Sequence, residues 1–302
     1  MTGIVILNYE NWEDTRRCLE SIRRYPPRED YMVFLVDNAS RAKPAYDLQK
    51  LLQTCRAQLL QNEKNLGYNA GNNTGIAKAV SAGCDYILIA NNDVCFCKGS
   101  IQRMTEYLKQ HPKTGIVGPK VVDVKGRLRR NCLCQKTGLA EKYLVRTRLH
   151  VLFPKRYARY FGYDKDYKDS FRVYAVHGCC LMMSRACAQA VTPFDEYPFL
   201  YEEELILGIR MEEAGFATVC QPAAAVRHLH GGSTRYQKAF SFAHNVRSEI
   251  YYCRNYLHAR PWQIWPLYIY RVTLYLLRCI RYKDFRQKWK WFFHMTRQEI
   301  RK

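Results

Sequence analysis

Short apolar runs alternate with helical segments along the first 120 residues. In chain order the predicted elements are strand 3–7, helix 14–24, strand 31–36, helix 48–55, strand 57–60, helix 72–81 and strand 85–90. The strands are apolar at successive positions, which is typical of strands covered on both faces. The alternation therefore predicts an α/β fold in which a Rossmann-like, mostly parallel sheet is flanked by helices.

The pattern changes twice further along the chain. Residues 123–172 lose the alternation and are rich in Arg, Lys and Tyr, so we expect an excursion over the mouth of the site. Regular signals then return, as an apolar run at 173–184, an acidic helix at 201–215, a strand at 216–221 and a loop at 228–233. From 236 to 302 the pattern is helical. The chain thus divides into a domain at 1–235 and a C-terminal segment at 236–302.

Polar residues follow three predicted strands. They are Asn8, Asp37 and the triplet Asn91-Asn92-Asp93. Because ligands of such sheets bind beyond the carboxyl ends of the strands, these residues should share one rim. Asp93 is a candidate ligand for Mg²⁺ or Mn²⁺, although a plain turn explains the triplet equally simply. The imidazole of His228 could complete that metal site, and Asp37 could accept a hydrogen bond from a ribose hydroxyl.

Two further segments carry candidate chemistry. The small and amide residues at 65–73, among them Asn65, Gly67 and Asn72, suit a backbone that closely approaches a ligand, or an ordinary polar loop. The acidic run 202–204 opens a helix that also contains Arg210. Its acids complement the helix dipole, but Glu203 and Glu204 point about 100° apart, so that one could face a reaction centre. No GxGxxG motif occurs, which disfavours a dinucleotide fold.

Charge is concentrated at the end of the chain. The formal net charge is +21, from 48 basic and 27 acidic residues, and 235–302 contributes +12 of it, from fifteen Lys and Arg against three acids. Aromatic residues are interleaved with these bases. The most apolar stretch, 264–277, is shorter than the roughly 20 apolar residues that span a bilayer. We therefore expect an amphipathic helix at an anionic membrane surface, the alternative being a basic helix packed on the domain.

The cysteines and the N-terminus bear on location. Thirteen cysteines without zinc-like spacing predict free thiols in a reducing compartment. The sequence opens on a predicted strand, with no basic region or small-residue cleavage site before it, so no signal peptide is expected. The expected location is cytoplasmic, at the inner face of the cell membrane.

Taken together, the motifs resemble those of a known family. IVILNY, LVDNAS, NLGYNAGNNTGI, ILIANNDV, GIVGPKV, VHGCCLMMSR, FDEYPFLYEEELILGIRMEEAGF and VRHLHGGS are similar, in order and spacing, to segments of the family 2 glycosyltransferases, especially the rhamnosyltransferase-like branch. The resemblance covers about residues 2–235. It implies a GT-A fold and an inverting transfer of a sugar from a nucleoside diphosphate donor, with 1–120 binding the nucleotide and 173–235 providing the acceptor side and the catalytic residues.

The resemblance also implies roles for individual residues. On the donor side, Asp37 with Asn8 would hold the nucleoside, its base and ribose would be lined by Asn65, Gly67 and Asn72, and Asn92 would lie nearby. Asp93 would be the metal carboxylate, and His228 would bind the metal or the diphosphate. Glu203 and Glu204 would be the catalytic pair with Glu204 as base, and Gly178 and Arg210 would border the acceptor. Asn91 replaces the first acid of the family's DxD motif, and Ile206 stands where the family often has a further aspartate.

The substrates follow less directly. The resemblance favours rhamnose from dTDP-rhamnose, then UDP-hexoses or galactofuranose, and a lipid-linked saccharide acceptor in cell-wall or surface polysaccharide synthesis. A sugar-phosphate nucleotidyltransferase would show a glycine-rich loop where this chain has NYENWED. A nucleic-acid-binding protein would fit the charge, but the excess lies in the amphipathic tail and acids line the rim, so no nucleic acid is expected. The oligomeric state is left open.

Overall fold

The computed structural model describes residues 1–130, 132–229 and 238–301. The end of the predicted loop at 228–233 and the domain boundary at 235/236 lie outside them. Within these residues the strands form one ten-stranded sheet. The strands are β1 (Thr2–Asn8), β2 (Tyr31–Asp37), β3 (Ala57–Gln61), β4 (Tyr86–Asn91), β5 (Val94–Phe96), β6 (Thr114–Val122), β7 (Leu128–Arg129), β8 (Phe171–Val173), β9 (Cys180–Ser184) and β10 (Ala217–His228).

Strand direction is mixed across this sheet. The order is β3-β2-β1-β4-β9-β6-β10-β5, with β7 beside β6 and β8 beside β10. The pairs among β1 to β4 and the pair β6/β10 are parallel. β9, however, is antiparallel to both β4 and β6, and β5, β7 and β8 are also antiparallel to their partners. The predicted α/β architecture is confirmed, because β1 to β4, β6 and β10 run in one direction, whereas β5, β7, β8 and β9 run in the opposite direction.

The helices cover both faces of the sheet and continue beyond it. They are α1 (Trp12–Arg24), α2 (Leu48–Thr54), α3 (Gly67–Ser81), α4 (Ser100–Gln110), α5 (Leu139–Leu144), α6 (Pro154–Tyr160), α7 (Arg185–Val191), α8 (Glu203–Glu213), α9 (Lys238–Asn255), α10 (Pro261–Arg281), α11 (Lys283–Gln287) and α12 (Trp289–Arg301), with a 3₁₀ helix at Arg148–Leu152.

Successive strand residues pack into two different cores. In β1, Ile4 and Ile6 lie in the core beneath α1, α2 and α4, whereas Val5 lies in the core beneath α3, α7 and α8. In β2, Val33 lies in the first of these cores and Phe34 lies in the second. Because side chains alternate between the faces of a sheet, a strand that is apolar throughout is buried on both.

Two element boundaries differ from the predicted ones by five residues or more, and one segment contains elements that were not predicted. Helix α3 begins at Gly67, five residues before the predicted start. β10 continues to His228, seven residues beyond the predicted end, because it pairs with β5 through its last residues. The excursion at 123–172 contains short elements, namely β7, α5, the 3₁₀ helix, α6 and the start of β8.

The C-terminal helices form a third hydrophobic core with α5, α6 and α8. Tyr252, Tyr275 and Phe292 are fully buried there. The predicted helical pattern is thus present, and Arg271 faces inwards, where it pairs with buried Glu249. Within the described residues, no helix combines the length and apolarity needed to cross a membrane.

Candidate active site

The rim of the sheet begins with a hydrogen-bonded pair at the ends of β1 and β2. Asn8 is opposite Asp37 in the parallel register, and its amide Nδ2 donates to Asp37 Oδ1 at 3.0 Å. The Ser40 hydroxyl donates to the same oxygen at 2.5 Å. Asn8 and Asp37 are both buried, so the Asp37 carboxylate is fixed in orientation. A carboxylate held in this way can accept a hydrogen bond from a nucleoside.

Asn38, which the sequence did not single out, organises the neighbouring loop. Its Nδ2 donates to Asn65 Oδ1 at 2.9 Å and to the Gly67 carbonyl at 3.0 Å, and its Oδ1 accepts from the Asn62 amide and the Leu66 N–H. Gly67 has φ +84°, and a Cβ there would lie 2.5 Å from the Phe199 carbonyl oxygen. Asn65 and Gly67 are therefore held rigidly at the start of α3.

Two residues predicted to line the donor instead make internal bonds. Asn72 lies inside α3, is fully buried, and donates to the Tyr68 carbonyl at 2.9 Å. The Asn92 amide donates to Asn8 Oδ1, the Asn11 carbonyl and Thr15 Oγ1 at 2.9–3.0 Å. These contacts favour a structural role, in which Asn92 connects the end of β4 to the start of α1.

Asp93 and His228 form a buried pair on this rim. His228 Nε2 lies 3.0 Å from Asp93 Oδ1, and the Leu229 N–H donates to the Asp93 carbonyl at 2.8 Å. β5 and β10 bring the two residues together, although 135 positions separate them. One carboxylate and one imidazole suit Mn²⁺ or Mg²⁺, whose remaining positions substrate phosphates and water commonly fill. The described residues contain no cluster of three or more such ligands.

His177 is a site residue that the sequence analysis missed. Its Nδ1 accepts the Cys179 N–H at 2.9 Å, so the neutral ring carries its hydrogen on Nε2. Burial lowers the pKa of His177, against the opposing effect of the Glu204 carboxylate. The His177 ring lies 5.8 Å from that of His228, centroid to centroid. The only signal in the sequence was its position directly before Gly178.

Gly178 joins this group to the catalytic candidates. Its N–H donates to Glu204 Oε1 at 3.0 Å, and its carbonyl accepts the Tyr68 hydroxyl at 2.5 Å. A Cβ at Gly178 would lie 3.2 Å from the same Glu204 oxygen, so a glycine suits this close approach. A series of contacts therefore connects Asp93 and His228 with Glu204, through His177 and Gly178.

The three consecutive acids at the start of α8 have different surroundings. Glu202, at φ +68°, is buried and pairs with Lys142 Nζ at 2.5 Å. Burial, together with the nearby Glu204 carboxylate, raises the pKa of Glu203 well above its usual range. Glu203 Oε2 is buried and has no hydrogen-bond partner, as expected of a carboxyl group that keeps its proton. Glu204 is thus the member of the pair suited to accept a proton.

Arg210 connects helix α8 to the turn that follows α7. Its Nη1 donates to the carbonyls of Val191 and Pro193, and its side chain lines a small cavity with Glu203, Glu204 and others. It therefore fixes the turn after α7 against α8. Direct contact between Arg210 and an acceptor stays a prediction.

Comparison with known proteins identifies related sequences and structures. The chain is 27% identical over 259 residues to the N-acetylglucosaminyl-diphospho-decaprenol L-rhamnosyltransferase of Mycobacterium tuberculosis, which covers 81% of each chain. In structure it is similar to Staphylococcus aureus TarS 1-349 in complex with UDP-GlcNAc (TM-score 0.56, 12% identity, 84% of this chain and 66% of that one). It is also similar to GalNAc-T7 with UDP, GalNAc and Mn²⁺ (TM-score 0.58, 14% identity, 99% and 57%).

These structural neighbours show the fold, which is that of the GT-A glycosyltransferases. The chain spans 40% of the length of TarS and 57% of GalNAc-T7, so the neighbours contain further regions. The model of glycosyl transferase family 2 matches residues 3–191, well over half of the chain. With the sheet, the rim and the cleft as described, the chain belongs to glycosyltransferase family 2.

Proposed function

We propose that this enzyme is an inverting, metal-dependent glycosyltransferase that moves rhamnose from dTDP-rhamnose to a lipid-linked saccharide, in cell-wall or surface polysaccharide synthesis. The observation that carries the proposal is the series of contacts that connects Asp93 and His228 with Glu204 through His177 and Gly178. The name of the mycobacterial relative supports both rhamnose as the sugar and a lipid-linked saccharide as the acceptor.

The base side of the cleft would activate the acceptor. Glu204 removes the proton from an acceptor hydroxyl as the hydroxyl oxygen bonds to the anomeric carbon. In the same displacement the bond from that carbon to the donor phosphate oxygen breaks, and the nucleoside diphosphate departs with the bonding electrons. A single displacement from the opposite face inverts the anomeric centre. The hydrogen bond from the Gly178 N–H keeps Glu204 Oε1 in position.

The opposite side would receive the leaving group. Asp93 and His228 would hold the metal ion, which when bound neutralises charge on the departing diphosphate. The Nε2 hydrogen of His177, between this pair and Glu204, can donate to an oxygen of the diphosphate. Asp37 would bind the nucleoside through the carboxylate that Asn8 and Ser40 orient.

A donor screen tests the proposal. We expect dTDP-rhamnose with Mn²⁺ to raise the melting temperature by several degrees, since a ligand that binds only the folded state stabilises it. Little shift should occur without the metal or in Asp93→Asn. UDP-glucose, UDP-GlcNAc and UDP-galactofuranose are the comparison donors, because structural neighbours contain UDP-linked ligands. A larger shift with a UDP sugar, followed by its transfer, would replace rhamnose as the proposed sugar.

The outer face of α10 supports a location at the membrane surface. Side chains there are exposed and uncharged, whereas Arg271, on the opposite face, pairs with Glu249. The exposed apolar residues are Trp262, Trp265, Ile269, Leu276, Leu277 and Ile280. They recur every three or four positions, so they form one stripe along the helix. We infer that this stripe enters an anionic leaflet, to which neighbouring cations such as Arg281 and Lys283 are attracted.

Flotation with liposomes of phosphatidylglycerol and phosphatidylcholine measures this association. Ile280 is 77% exposed, and Ile280→Asp should weaken partitioning about tenfold or more, because burying such a side chain contributes roughly 1.5–3 kcal/mol. Val124→Asp is the matched control, since Val124 is 57% exposed at the turn before β7 and should not contact lipid. Equal flotation of the two variants would contradict the assignment of the stripe.

A further inference from the structure

A buried ion cluster connects the excursion, the catalytic segment and the C-terminal helices. Lys142 of α5 is fully buried and pairs with Glu202 at 2.5 Å and with Glu249 at 3.7 Å. Arg271 of α10 binds Glu249 through two hydrogen bonds of 2.7 and 2.9 Å. These pairs neutralise both carboxylates of the cluster. A third cation, Arg146, lies nearby, and none of these ion pairs includes it.

Arg146 is placed differently from the other two cations. Among the residues that the structure describes, its guanidinium makes no hydrogen bond and no ion pair, and its side chain is partly exposed. Its backbone is fixed, because its N–H donates to the Glu141 carbonyl at 2.9 Å and its own carbonyl accepts from Arg271 at 3.1 Å. Burial opposes its charge, but the carboxylates of Glu202, Glu249 and Glu204 together raise its pKa. A permanently charged donor group therefore lies close to the base.

The chain that follows Arg146 turns outwards and becomes apolar. The 3₁₀ helix and the residue after it expose four apolar side chains, with Val151 at 69% and Leu152 at 68%. The Tyr270 hydroxyl of α10 accepts the Arg148 N–H at 3.0 Å, which holds this turn against α10. The guanidinium of Arg146 is thus followed along the chain by an exposed apolar turn that is held against α10.

We propose that Arg146 binds the diphosphate of an acceptor built as sugar, diphosphate and isoprenoid lipid. A guanidinium is well suited to phosphate because it offers two parallel N–H donors. The acceptor sugar occupies the space between Arg146 and Glu204, and the apolar turn at 149–153 contacts the first part of the lipid. This assignment rests on the proposed function, and it specifies which residues of the excursion recognise the acceptor.

Binding of a probe tests the inference without any transfer reaction. Farnesyl diphosphate is titrated into the full chain with the donor site filled by dTDP and Mn²⁺, and binding is followed by tryptophan fluorescence. Arg146→Ala should weaken binding roughly tenfold to a hundredfold, the usual effect of losing hydrogen bonds to a charged group. Arg146→Lys should retain part of the affinity. Arg172→Ala is the control, because Arg172 is an exposed arginine of the same excursion, on β8.

Binding of farnesol distinguishes a specific role of Arg146 in diphosphate binding from a general loss of structure in the variant. It lacks the diphosphate, so Arg146→Ala should bind it as the wild type does, whereas Leu152→Asp should weaken both probes. The inference is overturned if Arg146→Ala and Arg172→Ala bind farnesyl diphosphate equally, or if Arg146→Ala loses both probes to the same extent. Absence of sugar transfer by a wild type that still binds the diphosphate through Arg146 would refute the proposed function and leave this inference standing.

Discussion

Replacing Glu204 with glutamine is expected to lower the rate of sugar transfer by about two to four decades, the usual contribution of a general base. Glutamine preserves the shape of the side chain and can still accept the Gly178 N–H, but it cannot take a proton. Donor affinity should be unchanged, since the predicted nucleotide contacts lie on the opposite side of the cleft. Steady-state transfer and donor titration on the same preparation measure the two effects separately.

Glu203→Gln is the matched control for this experiment. Burial raises the pKa of Glu203 well above its usual range, which favours the neutral form that glutamine resembles. Transfer should persist. The unfolded chain releases this proton near pH 4.5 whereas the folded chain retains it to higher pH, so wild-type stability falls as pH rises above 4.5. The melting temperature of the wild type should therefore fall relative to that of Glu203→Gln as the pH rises above 4.5. Normal turnover by Glu204→Gln, with loss in Glu203→Gln, would reverse the assignment.

Replacing Lys142 with methionine should cause the largest loss of stability. Lys142 is fully buried, pairs with Glu202 and Glu249, and lies over the Tyr252 ring. Removing one partner of a buried ion pair leaves an uncompensated charge and typically costs about 3–5 kcal/mol. At roughly 2–4 °C per kcal/mol, the melting temperature should fall by roughly 6–20 °C. Thermal unfolding monitored by circular dichroism measures the change.

Lys136→Met is the comparison for Lys142→Met. Lys136 pairs with Glu212, and both side chains are about half exposed, so this variant should lose no more than about 1 kcal/mol. Equal stability of the two variants would show that the buried cluster contributes little. The alternative explanation would then be that Glu202 and Glu249 take up protons when Lys142 is absent.

The sheet was predictable because its strands carry a local signal. Runs that are apolar on both faces, each followed by a polar residue, identified β1, β2 and β4 and the rim they form. The family and the GT-A fold, inferred from the motifs, are confirmed. The antiparallel direction of β9 was not predictable, since its five-residue run carries no information about which neighbour it pairs with.

The early part of α3 was missed because its polar side chains face the protein. Asn69 donates to the Asp195 carbonyl, and Asn73 donates to the Phe194 carbonyl and to Glu196. In the sequence these amides are typical of a loop. They are buried only because residues 194–196, which are distant in sequence, pack against them. The inward position of Arg271 was not predictable for a related reason, because it depends on its pairing with buried Glu249.

The placement of β9 has a mechanical consequence. β9 is hydrogen-bonded to β4 on one side and to β6 on the other, so a single ladder of backbone bonds runs from the donor half to the acceptor half. Hinge motions need a boundary that few contacts cross, and this sheet provides none between the two halves. The sheet therefore acts as one rigid frame, and we expect substrates to enter and leave through rearrangement of the surface segments around it.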